Sequence, residues 1–299
     1  MKLILLLPII FIFFFTGCAE KNIYNGLDIS SLENIQKNKS FNNKKPILGI
    51  AFGGGGEKGF IHLGVIKALE EEGIKADIVI GTSAGAIVAS LYALGMSFEE
   101  IEKITAPITR DDILDIVLST EGLIQGKDLS NVVNKMTKNS LIESTPTKLG
   151  ITATNLSTAK PVLITKGNIS EAIQASSSVP GAYLPIKSNG DILIDGGILS
   201  LVPVDFTKAL GADIVIGIDI YCGRPLPLEE NLFNITLSAF QLQICTISNL
   251  ETQKADFMIR PDLTKNEFDG FVNKKEAIRV GYNATKKILP EILKKLNKN

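Results

Sequence analysis

The chain holds one histidine, His62, in 299 residues, so a serine nucleophile would find a single candidate imidazole base. Cysteine is nearly as scarce, with three in all, and none sits in metal-like spacing. Cys222 and Cys245 read as two small buried hydrophobes, and their pairing is not legible from sequence. The net charge of −1 lacks the positive excess that would point to a nucleic-acid partner. There is no internal repeat. The N-terminal apolar run, Leu3 to Phe15, is broken only by Pro8 and falls short of the roughly 20 residues a membrane span needs.

That run instead has the length of a secretory signal core, preceded by Met1-Lys2 and followed by Thr16-Gly17. Cys18 comes next. The segment resembles a bacterial lipoprotein signal, in which cleavage before the cysteine exposes a thiol for acylation; Phe15 stands where leucine is usual. An ordinary signal peptide or an uncleaved anchor is the alternative. The expected layout is a signal peptide over 1–17, lipidated Cys18 with a flexible tether over 18–45, and a folded domain over 46–299. Acyl chains on Cys18 would hold the protein on the extracytoplasmic side of a bacterial membrane, inner or outer being left open.

With 45% hydrophobic residues the chain can bury a large core. Ile47 to Phe52 is a continuous apolar run, as in a buried parallel strand, and a helix ending at Gly73 follows it. Asp77 to Gly81 reads as a second strand and Ala84 to Leu94 as an apolar helix. Ser97-Phe98-Glu99-Glu100 is a capping box. Strands are expected at 148–154, 161–165, 192–194 and 213–220, with helices at 170–177 and 276–296. The pattern predicts one α/β domain with a mainly parallel central sheet flanked by helices.

Gly81-Thr82-Ser83-Ala84-Gly85 reads G-x-S-x-G at a strand-to-helix turn, which exposes the Ser83 hydroxyl at a helix N-terminus. Its base is the open question. His62 lies upstream of the serine, against the Ser, acid, His order of α/β-hydrolases, and reads as a helix residue packed near the site. Asp195 is the carboxylate that stands out, because it ends an apolar strand and precedes Gly196-Gly197. Taken alone, Asp-Gly-Gly is a turn. Asp191, Asp205 and Asp219 lack such a setting. The run Gly53 to Gly59 has the outline of a dinucleotide loop, but Asp77 precedes the next strand instead of ending it, and Lys58 is followed by glycine, unlike a phosphate loop. An oxyanion hole is the better reading, with Gly54, Gly55, Gly56, Lys58 and Gly59 as its candidate residues.

The three segments in this order, together with Ala175-Ser176-Ser177-Ser178-Val179-Pro180-Gly181, resemble the patatin-like phospholipase family. The resemblance implies a patatin-like hydrolase domain with a Ser–Asp dyad: Ser83 as nucleophile, Asp195 as proton acceptor, and N–H groups around Gly55 and Gly56 as oxyanion donors. Lys58 stands where members of the family often carry arginine. The implied substrate is a phospholipid or related acyl ester, with no metal and no cofactor. Protein partners are not legible. An acyltransferase, or a lipid-binding lipoprotein on a retired scaffold, is the alternative.

Overall fold

Strands and helices are interleaved from residue 48 onward in the computed structural model, which describes residues 20–35, 45–226, 231–263 and 270–297. Cys18 and the signal segment lie outside the described residues. In chain order the strands are β1 (Asn22–Ile23), β2 (Asp28–Ser31), β3 (Leu48–Phe52), β4 (Ile78–Gly81), β5 (Lys148–Asn155), β6 (Lys160–Lys166), β7 (Ile186–Ser188), β8 (Asp191–Asp195), β9 (Ile214–Ile218) and β10 (Phe257–Ile259). The helices are α1 (Phe60–Glu70), α2 (Ala84–Ala93), α3 (Phe98–Thr105), α4 (Lys127–Thr137), α5 (Ile169–Ser176), α6 (Val204–Ala209), α7 (Leu232–Thr252) and α8 (Lys274–Asn297).

All of the strands join one sheet, in the order β1-β7-β8-β5-β4-β3-β9-β10, with β6 and then β2 branching from β5. The centre is parallel: β3 lies between β4 and β9, with Ile50 opposite both Val79 and Ile216. Each residue of β3, β4 and β9 is buried, which is why these strands read as unbroken apolar runs. Helices cover both faces, with α1, α2 and α5 packed on one and α6 on the other through Phe206 and Leu210. On the first face α1 and α8 cross in close contact. A Cβ on Gly64 would lie 1.9 Å from the Ile278 carbonyl oxygen, and one on Gly281 would lie 1.9 Å from that of Ile61. The capping box at Ser97 forms in full, with both reciprocal bonds to Glu100.

Two expectations are corrected. The first is the flexible tether, because residues 22–31 belong to the sheet. β1 pairs with β7, β2 pairs antiparallel with β6, and Leu27 is buried. The exposed edges of β6 and β7 offer unpaired backbone groups, and these short segments satisfy them without the long periodicity that sequence reading depends on. The second is the cysteine pair. Cys222 and Cys245 are joined by a disulfide with a Cα–Cα distance of 5.6 Å, because the chain leaving β9 runs beside the middle of α7.

Candidate active site

The site forms where two strands end head to head along β5. β4 runs parallel to β5 and stops with Gly81 opposite Ile151. β8 runs antiparallel to β5 and stops with Asp195 opposite Ala153. The C-terminal ends of β4 and β8 therefore converge across a gap of about two residues, and the chain that leaves each end carries one polar group into it.

On the first side, Thr82 is tied down before the turn. Its N–H donates to the Phe52 carbonyl oxygen at 3.0 Å, and its hydroxyl bonds to the Ser200 carbonyl oxygen and Thr152 Oγ1. Ser83 then takes φ 52° and ψ −123°, a conformation costly for a side-chain-bearing residue. It is held there because α2 begins at once and because its N–H donates to Ser176 Oγ at 2.7 Å. The flanking glycines have steric reasons. A Cβ on Gly81 would lie 2.4 Å from Ala86 Cα, and one on Gly85 would lie 2.2 Å from the Phe52 carbonyl oxygen.

On the other side, Asp195 is 7% exposed and its Oδ1 accepts from the Gly197 N–H at 2.6 Å. The Ser83 side chain lies close enough to this carboxylate to act on its pKa. Burial pushes the Asp195 carboxyl up to about 6, with the Gly197 bond and the Ser83 side chain pulling the other way. Gly196 allows the strand end to press on Thr152, where a Cβ would sit 2.5 Å from Oγ1. Asp195 thus arrives on an antiparallel strand. The rule that sites gather at the C-terminal edge of parallel strands located the right edge but not this direction of approach.

The glycine loop is the third part. A Cβ on Gly54 would stand 3.4 Å from that of Ser83, so the loop passes directly over Ser83. Its N–H groups are not equivalent. Gly54 donates to the Leu201 carbonyl oxygen at 3.0 Å and Lys58 donates to that of Gly55 at 3.3 Å. The N–H groups of Gly54 and Lys58 are therefore committed to backbone acceptors. Among the described residues the Gly55 and Gly56 N–H groups have no such partner. Gly56 has φ 58°, which turns the backbone toward the site at a position that favours glycine. Gly59 lets the loop approach the start of α2, since a Cβ there would lie 3.2 Å from Ala84 Cβ.

His62 is fully buried in α1, edge-on to Phe52, with Nε2 2.8 Å from the Gly53 carbonyl oxygen. Burial lowers its pKa to about 4, so the ring is neutral and Nε2–H is the donor. Its role is to hold the first turn of the glycine loop. Asp219 accepts from the N–H groups of Tyr221 and Cys222 and shapes the turn after β9. Among the described residues no cluster of histidine, cysteine, aspartate or glutamate is placed to hold a metal.

Beside the loop an apolar cavity opens, with an empty volume of about 580 Å³ including its mouth. Gly56, Gly59 and Ala84 line it next to Ser83, and Ile87, Val133 and Met136 line its depth.

Residues 50–208 match the family model described as patatin-like phospholipase. The chain belongs to the patatin-like phospholipase family. The matched stretch includes the glycine loop, the Ser83 turn and Asp195. Lysophospholipase nte1 of Aspergillus fumigatus is 33% identical over 179 residues, which is 58% of this chain and 12% of that protein. An uncharacterized NTE family protein of Mycobacterium bovis is 31% identical over 193 residues, 64% of this chain and 54% of that protein. The chain thus spans about an eighth of the first relative and about half of the second. VipD from Legionella pneumophila shares the fold, with a TM-score of 0.52 at 17% identity over 91% of this chain and 71% of that one.

Sequence reasoning missed the part played by the Ala175–Gly181 segment in this patatin-like site. Ser176 Oγ receives the Ser83 N–H, and the Ser178 carbonyl oxygen receives the Asp195 N–H at 2.9 Å. One short stretch therefore fixes both chemical groups relative to each other. The family resemblance had flagged the stretch, but no residue pattern in it gives that role.

Proposed function

We propose that the protein is a lipid acyl hydrolase of phospholipase A or lysophospholipase type, working through a Ser83–Asp195 dyad. The observation that carries this reading is the placement of the Ser83 side chain beside a buried carboxylate whose pKa is raised. A carboxylate in water is a poor base for an alcohol. Desolvation raises its proton affinity, and contact makes the transfer local.

Ser83 Oγ attacks the ester carbonyl carbon while its proton passes to Asp195. The tetrahedral oxyanion sits under the Gly55 and Gly56 N–H groups, at the positive end of α2. Collapse of the intermediate transfers the proton from Asp195 to the departing alcohol and leaves an acyl-Ser83 ester. Water, deprotonated by Asp195, then releases the fatty acid. The apolar cavity is positioned to take the acyl chain, since Ala84, next to Ser83, lines it and its walls are mostly apolar. Membrane residence through acylated Cys18 belongs to the same proposal, and the Cys222–Cys245 disulfide is in keeping with an oxidising, extracytoplasmic setting.

The test is hydrolysis of a long-chain fluorogenic ester and of mixed phospholipids by wild type, Ser83→Ala and Asp195→Asn. Loss in both variants, with fold retained, is expected. Full activity in either overturns the dyad.

A further inference from the structure

The stretch from Asn231 to Leu250 contains no charged residue, yet most of it is at the surface. It forms nearly all of α7, and Ile235, Phe240 and Leu242 are 58%, 44% and 56% exposed. An uncharged helix with large apolar side chains in water calls for a covering surface. It does not cross a bilayer: among the described residues no helix is long and apolar enough.

The direction of α7 says what covers it. Its C-terminal end leads to Asp256, whose N–H bonds the Val215 carbonyl oxygen at the start of β9. Its Cys245 is bonded to Cys222, which lies beyond the end of β9. The helix therefore runs antiparallel to β9. The residues before Cys245 therefore lead toward the sheet edge that carries Ser83, along about 20 Å of helix at 1.5 Å per residue. Arg224, four residues along the loop from Ile220, binds Gln241 and braces this half.

The same edge carries apolar groups on its other flank. Ile116 and Leu118 are 80% and 78% exposed, in the segment that the Leu123 N–H and the Ala182 carbonyl oxygen tie to the stretch following Ser178. Val272, 77% exposed, follows Phe271 at the cavity wall. Exposed apolar side chains thus rise on both sides of the catalytic edge.

We propose that the N-terminal half of α7 and the 116–123 loop form a lipid-contacting surface that seats the catalytic edge in the headgroup boundary of a phospholipid bilayer. The absence of charge lets the N-terminal half of α7, with apolar residues around its circumference, enter the acyl boundary without desolvating an ion. Ser83 and the cavity mouth then face the layer that holds the substrate. This deepens the lipid-hydrolase reading and rests on it.

The chain has no tryptophan, so full-length Phe240→Trp carries a single reporter. With phosphatidylcholine–phosphatidylglycerol vesicles, its emission shifts to the blue and brominated acyl chains quench it. The same reporter at Tyr282→Trp, where the side chain meets Glu71 at the opposite edge, stays unquenched. Building Phe240→Trp into the Ser83→Ala chain leaves the quenching unchanged, so the readout does not depend on hydrolysis. Ile235→Glu with Leu242→Glu lowers vesicle-lipid hydrolysis at least tenfold and spares a soluble short-chain ester, which also reports folding. An unquenched reporter, or equal loss on both substrates, overturns the docking surface. So does a dimer that the double substitution abolishes without any lipid quenching. Failure on both substrates by wild type overturns the hydrolase reading instead.

Discussion

If Asp195 is the base for Ser83, activity must follow its ionisation. Burial raises its pKa from an ordinary 3.8 to about 6. The base form is the ionised one, so activity rises with pH through that value. At pH 7 roughly nine-tenths of the carboxyl is ionised and at pH 5 roughly a tenth, so kcat/KM should fall about tenfold between them. An unperturbed carboxyl would still be about nine-tenths ionised at pH 5 and would show almost no loss. The assay is the pH profile of kcat/KM on a soluble ester, which reports the free enzyme and avoids pH effects on vesicles. His62 supplies the control. Its pKa is lowered to about 4, so it stays neutral across this window, and a folded His62→Gln protein keeps the same acid limb. Asp195→Asn loses between about 10²- and 10⁴-fold, the usual contribution of a positioned base. An acid limb below pH 5 would refute the argument that burial tunes Asp195. A limb that vanishes in His62→Gln would refute the choice of base.

Other consequences concern stability. Ser83→Gly relieves the φ of 52° and should stabilise the fold by roughly 1 kcal/mol, read as a higher melting temperature, while abolishing hydrolysis; a less stable variant would mean the turn stores no strain. Reducing the Cys222–Cys245 bond, which spans a sequence separation of 23, frees a loop whose closure contributes about 3 kcal/mol. A urea midpoint unchanged by reductant would show that the bond is not formed. Glu251 is buried against the Ser200 hydroxyl and the Asp205 N–H, and its pKa is raised from 4.5 to about 7. Between those values the native state holds a proton that the unfolded state has released, so stability falls as pH rises. Above pH 7 that loss is complete and on the order of 3 kcal/mol. Glu251→Gln should therefore stabilise the protein above pH 7 and have little effect below pH 4.5, as followed by thermal melts. Equal melts above pH 7 would refute the buried charge.

The alternation of buried strands and helices was legible because β3, β4 and β9 are apolar on both faces and leave unbroken runs. The Ser83 turn was legible because only glycine fits at positions 81 and 85, where a Cβ would meet backbone within 2.5 Å. β1 and β2 were not, since Asn22–Ile23 and Asp28–Ser31 are too short for a period to emerge. The division of labour inside the glycine loop was not legible either. Four consecutive glycines look alike in sequence, yet Gly53 and Gly54 spend their N–H groups on Ile218 and Leu201 while Gly55 and Gly56 find no such acceptor among the described residues.

By itself, then, the sequence determined which groups this patatin-like protein has to work with. A serine on a glycine-flanked turn, a lone histidine and an aspartate before two glycines are local facts, dictated by residue type and the sterics of adjacent backbone. Only the tertiary structure decided how they meet. It brought β8 in antiparallel to face the end of β4, buried Asp195 so that its proton affinity rose, turned His62 away onto Gly53, and tied the uncharged α7 to the chain leaving β9. These depend on contacts between residues far apart in the chain, and no local pattern encodes them, because pairing direction, burial and helix orientation are properties of the packed whole.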